Sequence, residues 1–373
     1  MFNKPKVITI VGTRPELIKL SLIIKELDKA TEHYLVHTGQ NFDYELNEIF
    51  FKDLLIRKPD FFLNSFGKSA IKTISTILVK VEKLFIDIKP DALLIYGDTN
   101  SCLSSYVAKK MHIPIFHLEA GNRSFDENIP EEINRKIVDH LSDINMPLTE
   151  HARNYLLQEG IKGESIIKIG SCMKEILIKN KNKINKSEII KKLKLKKKEF
   201  FIASIHREEN VENDKIINNI LKNLNDASEH FNKKLILSTH PRLFKKLESL
   251  KIKKEFKNIN FLKPLSFTDY ISLQTNSFCV LSDSGTIAEE SSILGFPAIM
   301  MRENHERPEA FDQGVLIKNH NNFDHLINSI DYVVRTNKIS SKIVVNDYNE
   351  IGVSVKVVRN ILSYIDNVKL KYK

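Results

Sequence analysis

Short β-branched runs alternating with longer amphipathic segments constrain this chain more than any other feature. Val7–Val11, Tyr34–Val36, Ala92–Tyr96, Ile113–His117, Phe200–Ile205, Leu235–Thr239, Phe278–Leu281 and Ala298–Met301 read as strands buried on both faces. Between them, Ile18–Leu27, Ile71–Phe85 and Lys215–Ala227 carry apolar residues at helical spacing. Repeated βαβ units make an α/β fold of parallel sheets covered by helices, and the absence of Asn-Gly or Asp-Gly hairpin signals agrees. At 373 residues the chain is too long for one ordinary core, so two domains of about 150–200 residues are expected. The rhythm pauses over Met173–Glu199, a lysine-rich stretch, which places the boundary near Ser171. The division is then 1–171, 172–350 and a closing helical segment, 351–373. Val357, Val358, Ile361, Leu362 and Ile365 line one face of that helix, which would suit either domain.

Composition excludes several classes. Hydrophobic content of 42% with 28% charged residues is that of a globular protein, not a disordered one. No 18-residue apolar stretch is available to span a membrane, and the Val7–Val11 run is too short for a signal peptide. Cys102, Cys172 and Cys279 are odd in number and far apart. They form neither a disulfide framework nor a metal spacing, so a reducing, cytoplasmic setting and no metal are expected. The net charge of +10, from 57 basic and 47 acidic residues, raises the question of an anionic partner. Its lysines lack interleaved aromatics and any nucleic-acid motif, so most are read as solvated surface and no nucleic-acid partner is expected.

Ligands in such sheets bind beyond the carboxyl ends of strands, which directs attention to the residues that follow each run. Gly12-Thr13-Arg14-Pro15-Glu16 ends the first strand. Thr13 and Glu16 fit a capping box, and Arg14 and Lys19 stand near a helix N-terminus that favours anions. Asp98 follows the Ala92–Tyr96 strand, Glu119 the next, and Glu131 opens a helix at Pro130. Three carboxylates on one side of one sheet can divide acid and base roles between them; separate helix caps are the plainer alternative.

In the second half His206 and Arg207 end the Phe200–Ile205 strand, and His240 ends the Leu235–Thr239 strand. Ser282-Asp283-Ser284-Gly285 leads from a strand through a tight turn into a helix. Its free N–H groups and the helix end suit a diphosphate, with Glu290 one turn further on for a ribose; an ordinary capped strand-to-helix turn is the plainer alternative. Arg302 and Arg307 add cations. This is not the dinucleotide fingerprint, so NAD is not expected and no cofactor is assigned.

Together these motifs resemble the non-hydrolysing UDP-N-acetylglucosamine 2-epimerase family. The matches are Gly12–Glu16, Gly97-Asp98-Thr99, Glu119-Ala120-Gly121, Pro130-Glu131-Glu132, His206-Arg207-Glu208, Ser282–Gly285 and Glu306-Arg307-Pro308-Glu309, in order along the chain. The resemblance implies two Rossmann-like domains of the glycosyltransferase-B type, an active site in the interdomain cleft that closes on its ligand, and a C-terminal helix returning to the first domain. It also implies a homodimer. By position, Asp98, Glu119 and Glu131 match the family's acidic catalytic residues, and His206 and Lys19 its basic ones. Arg14, His240, Ser284, Gly285, Glu290 and Arg307 match UDP contacts, and Tyr270 falls where a ring stacks on uracil.

The implied reaction inverts C2 of a UDP-2-acetamido sugar through a glycal. Asn122 stands after Glu-Ala-Gly where leucine is usual, and the loop from Asn122 to Ile129 is short. In this the chain is similar to the UDP-N-acetyl-L-fucosamine synthase subgroup, which acts on UDP-2-acetamido-2,6-dideoxy-L-talose for surface polysaccharide (capsule or O-antigen). The competing expectations are the plain glucosamine/mannosamine epimerase, a glycosyltransferase or hydrolysing epimerase, and a non-catalytic binder.

Overall fold

A computed structural model describes residues 4–40, 51–239, 241–250, 255–302, 304–319 and 322–372. Its contacts divide into two compact units, 1–178 with 347–373 and 179–346.

Unit 1 is built on a six-stranded parallel sheet: β1 (Lys6–Val11), β2 (Glu32–His37), β3 (Phe61–Phe62), β4 (Ala92–Tyr96), β5 (Ile115–Leu118) and β6 (Ile144–Met146), in the order β3-β2-β1-β4-β5-β6. Val7, Ile8, Ile10 and Val11 are all fully buried, because helices cover both faces of β1. In register, Ile8 lies opposite both Tyr34 of β2 and Leu93 of β4. The helix Arg14–Ala30 starts where the sequence indicates, with Thr13 as N-cap, the capping box formed and Pro15 in the first turn. Leu17, Leu20, Ile23, Ile24 and Leu27 bury its inner face, each worth about 1.5–3 kcal/mol. The helix Ala70–Ile88 opens with Ser69 accepting from the Lys72 N–H and buries Ile77, Val81, Leu84, Phe85 and Ile88.

Unit 2 repeats the plan with β7 (Phe200–Ser204), β8 (Lys234–Ser238), β9 (Ile259–Leu262), β10 (Val280–Ser282), β11 (Ala298–Met300) and β12 (Ile317–Lys318), ordered β12-β11-β10-β7-β8-β9. Every pairing in both sheets is parallel. The α/β reading with two Rossmann-like sheets is therefore what the chain adopts. Strand order reverses between β1 and β4 in unit 1 and between β7 and β10 in unit 2, and those are the two places such sheets bind ligands.

The chain leaves and re-enters unit 1 at neighbouring points. Ser171 N–H donates to the Asp347 carbonyl, and Glu175 accepts from both the N–H and the hydroxyl of Ser354. These bonds tie the start of the Met173–Asn185 helix to unit 1, so the changeover falls inside that helix. The last helix, Val353–Leu370, packs on Arg14–Ala30. Val357, Val358, Ile361 and Ile365 face inward as their spacing indicates, whereas Leu362 is exposed. Among the described residues no helix is long and apolar enough to cross a membrane, and no group of three His, Cys, Asp or Glu side chains is placed to hold a metal ion.

Candidate functional site

The two reversal points carry the candidate residues, and at each a buried carboxylate ties the two loops together. In unit 1 it is Glu16. One of its oxygens accepts from the Gly12 and Thr13 N–H groups (2.8 and 2.6 Å) and the Thr13 hydroxyl, and the other accepts from Thr99 Oγ1 at 2.9 Å across the switch. Gly12 has no room for a side chain: a Cβ there would lie 2.0 Å from Ser101 Oγ and 2.6 Å from Thr38 Oγ1. Burial pushes the Glu16 carboxyl up to about 7, against those four hydrogen bonds, which lower it. A carboxyl whose pKa rises on folding stabilises the fold below its unfolded pKa and loses that contribution as pH climbs to the folded value. Thermal stability of Glu16→Gln relative to wild type should therefore increase from pH 5 to pH 8. A difference that stays flat across that range in calorimetry would contradict the assignment.

Asp98 follows β4 after Gly97. Thr99, not Asp98, caps the short helix that comes next, its hydroxyl accepting from Ser101 N–H. Asp98 instead accepts from Arg135 Nε at 2.7 Å, while its carbonyl accepts from Asn134 Nδ2. Arg135 also donates to Glu132 at 2.7 Å and is almost fully buried. All three supporting residues lie on the Pro130–Leu141 helix, whose first turn carries Glu131. The Asp98 side chain keeps 23% exposure.

Glu119 ends β5, the neighbour of β4, with φ of +62°, in the left-handed region that costs a non-glycine residue about 1–2 kcal/mol. Its carboxylate accepts from the Tyr96 hydroxyl, and a Cβ on Gly97 would stand 3.8 Å from Glu119 Oε1. The strained backbone turns the Glu119 side chain toward Tyr96 and Gly97 on the neighbouring strand end. Glu119→Gly should be more stable than Glu119→Ala by about 1 kcal/mol, and the reverse order in denaturant titration would rule out the strain. Lys19 is buried in the first helix and Arg14 opens it, half-buried.

Beneath this rim runs a buried polar chain. His117 Nε2 meets the Gly97 carbonyl at 2.7 Å, and its Nδ1 lies 2.9 Å from Asp139, which also takes the Gly121 N–H. Arg123, with no exposed side-chain surface, pairs with Asp139 at 2.7 Å and Glu159 at 2.6 Å.

In unit 2 the bridging carboxylate is Asp283, after β10. It accepts from the backbone N–H groups of His206 and Arg207, from Asn210 Nδ2, and lies 3.1 Å from His206 Nδ1, all of them beyond β7. Burial alone would raise its pKa, but those partners outweigh it and hold it down at about 2. Ser284 and Gly285 form the turn into the Ile287–Leu294 helix. A Cβ on Gly285 would sit 2.6 Å from Glu306 Oε1, with Arg302 Nη2 at 3.6 Å and Arg207 Nη2 at 3.7 Å. Glu306 binds both arginines, at 2.8 and 3.3 Å, so the turn is roofed by two cations and the carboxylate between them.

Glu290 is buried and accepts from Gln274 Nε2 at 2.7 Å. Burial and the nearby Glu290 charge raise the Tyr270 phenol, whose hydroxyl bonds with Ser204 and Ser282. Arg307 is buried with its Nη2 3.5 Å from Glu289. His240 lies outside the described residues.

The structure thus gathers Asp98 and Glu119 on adjacent strand ends, ties Asp98 to the helix that carries Glu131, and sets Ser284, Gly285, Tyr270 and Glu290 around β10. The supports Arg135, Glu132, Asp139, Asp283 and Gln274 were not singled out by sequence reasoning. Glu132 and Asp283 each adjoin a candidate residue, Glu131 and Ser284, and Arg135 lies four residues after Glu131; Gln274 and Asp139 carry no local signal.

A family model described as UDP-N-acetylglucosamine 2-epimerase matches residues 25–362. The structure of UDP-N-acetylglucosamine 2-epimerase from Rickettsia bellii is 49% identical in sequence, with a TM-score of 0.91 over 98% of each chain. Methanocaldococcus jannaschii UDP-GlcNAc 2-epimerase, solved in complex with UDP-GlcNAc and UDP, is 33% identical, with a TM-score of 0.89 over 96% of this chain and 99% of that one. A UDP-2,3-diacetamido-2,3-dideoxy-D-glucuronate 2-epimerase from Pseudomonas aeruginosa is 34% identical over 307 residues, 81% of this chain and 84% of its own length.

Proposed function

Because this chain belongs to the UDP-N-acetylglucosamine 2-epimerase family, we propose that it inverts C2 of UDP-N-acetylglucosamine by eliminating UDP and adding it back. A UDP-sugar 2-epimerase it is; the sugar and the division of labour are the proposal.

A base takes the C2 proton while the C1–O bond to the β-phosphate breaks. The C–H electron pair becomes the C1=C2 double bond, and the C1–O pair leaves with UDP. UDP then adds back to C1 on the face it left while a proton is returned to C2 on the opposite face, so only C2 is inverted and no redox partner is needed.

The C2 proton is not acidic, so the step depends on stabilising the departing diphosphate and on holding a carboxylate at the proton. Asp98, Glu119 and Glu131 carry the proton traffic, with Lys19 and His206 as the basic partners. The Ser284-Gly285 turn binds the diphosphate at the N-terminus of the helix that follows, with Arg14 and Arg307 supplying positive charge and His240 a further contact. Glu290 takes the ribose hydroxyls and Tyr270 stacks on uracil. The observation that carries this reading is the pair of carboxylates on adjacent strand ends, one ion-paired and the other held against backbone strain.

Glu290→Ala should weaken UDP binding by about 10–100-fold, the value of a hydrogen-bonded charge at a buried site. Unchanged affinity in calorimetry would remove it from the ribose. Assembly as a homodimer belongs to the same reading, and light scattering reads it directly.

A second sugar is favoured by one observation. Asn122 is buried, with its carbonyl bonded to Arg123 Nη1 at 2.8 Å, and Glu132 accepts from the Ser124 and Phe125 N–H groups, so the short loop is packed and specific. That loop supports UDP-2-acetamido-2,6-dideoxy-L-talose, converted to UDP-N-acetyl-L-fucosamine. That sugar has a methyl group at C6 and an L-configured ring; a site that hydrogen-bonds the C6 hydroxyl would reject it strongly, and an apolar one would not. Deuterium incorporation at C2 in heavy water, run on both sugars, tests reaction and substrate together. The faster substrate identifies the sugar, and no incorporation into either overturns the proposal.

A further inference from the structure

Asp283 is fully buried at the end of β10, yet its carboxylate reaches across the strand-order reversal to the loop after β7. Both oxygens face that loop. One or both accept from His206 N–H (3.1 and 3.0 Å), one from Arg207 N–H (3.0 Å) and one from Asn210 Nδ2 (3.0 Å). Asn210 also donates to the Met301 carbonyl at 3.1 Å, which fixes its amide and keeps its NH2 on the Asp283 side. The His206 ring is held on the same group, with Nδ1 3.1 Å from Asp283 Oδ1 and about a third of its side chain exposed.

We propose that Asp283 is the positioning residue for the His206 imidazole, placing the ring proton on Nδ1 and leaving Nε2 as the nitrogen that works on the sugar nucleotide. The part played by Nε2 rests on the epimerase reading; the tautomer does not.

An ionised carboxylate only accepts, so a ring nitrogen beside it must carry the proton, and a neutral imidazole with Nδ1–H has its lone pair on Nε2. The other charged groups around the pair do not change this. Arg207, Arg302 and Glu306 stand at the Ser284-Gly285 turn, and Tyr270 lies within reach of the charges of both Asp283 and Glu290. The two arginines are donors, and Glu306 is engaged by both. With the carboxylate on Nδ1 as well, one residue sets the loop and the ring together.

The first measurement uses the wild-type protein labelled with 15N-histidine. Long-range 1H–15N spectra, with His206→Asn to assign the resonance, should show His206 protonated at Nδ1. A neutral ring protonated at Nε2 would overturn the proposal.

The second is a kinetic cycle. Asp283→Asn should lower kcat by about 10–100-fold with KM and UDP affinity within about threefold, and the double substitution with His206→Asn should be no slower than His206→Asn alone. Losses that multiply would mean Asp283 acts independently of the ring, and the proposal falls. Asp283→Glu, which keeps the acceptor charge, should recover part of the loss. If the wild-type enzyme exchanges no C2 proton on either UDP-sugar, the epimerase reading fails, and the spectrum still decides the tautomer.

Discussion

Asp98→Asn is expected to lower kcat by about three orders of magnitude while leaving UDP affinity within about twofold. General acid–base catalysis by one positioned group is worth 10²–10⁴-fold, and this substitution removes the charge without removing the shape. Arg135 can still donate to the amide oxygen, and Asn134 still binds the residue 98 carbonyl, so unit 1 should fold as before. The residues assigned to uracil, ribose and diphosphate lie chiefly in unit 2, so nucleotide binding should not notice the change. Deuterium exchange at C2 and calorimetry with UDP read the two quantities separately. Retained turnover would remove Asp98 from the chemistry, and lost UDP affinity would move it to the nucleotide. Arg135→Gln should give a smaller loss in kcat, because it loosens Asp98 without discharging it.

Arg123→Met should destabilise unit 1 by about 3–5 kcal/mol, the cost of leaving a buried charge without its partner. Asp139 is fully enclosed, and burial pushes its carboxyl up; His117 and Arg123 together outweigh that and hold it below the usual range. A carboxyl held low on folding contributes stability above its unfolded pKa and loses it as pH falls. Without Arg123 that contribution shrinks, and the Arg123 Nη1 bond to the Asn122 carbonyl goes as well. For a unit of this size the loss corresponds to a fall in Tm on the order of 10 °C. A shift under about 2 °C by scanning calorimetry would show that the network does not carry the load assigned to it.

Most strands inside the two sheets were legible. β1, β2, β4, β5, β7, β8, β10 and β11 all correspond to β-branched runs, with ends displaced by one or two residues. The strands not anticipated are β3, β6, β9 and β12, and those four are the edges of the two sheets. An edge strand pairs on one side only, so it needs two to four residues and no long apolar run, which leaves little periodicity to read. The capping box at Thr13 and the position of each candidate side chain after a strand were readable for the opposite reason: both follow from local chemistry and the βαβ order.

By itself, the sequence determined the parallel α/β architecture, the strand ends that carry Asp98, Glu119, His206 and Ser284, and the family. Periodicity and short motifs are local, and they survive in a linear text. Only the tertiary structure decided what holds those residues. Arg135 reaches Asp98 across 37 positions, Asp283 reaches His206 across 77, and Glu16 reaches Thr99 across 83. These pairs exist because parallel strands bring distant loops to the same end of a sheet, and the burial that makes each carboxylate seek a partner is a property of the packed unit.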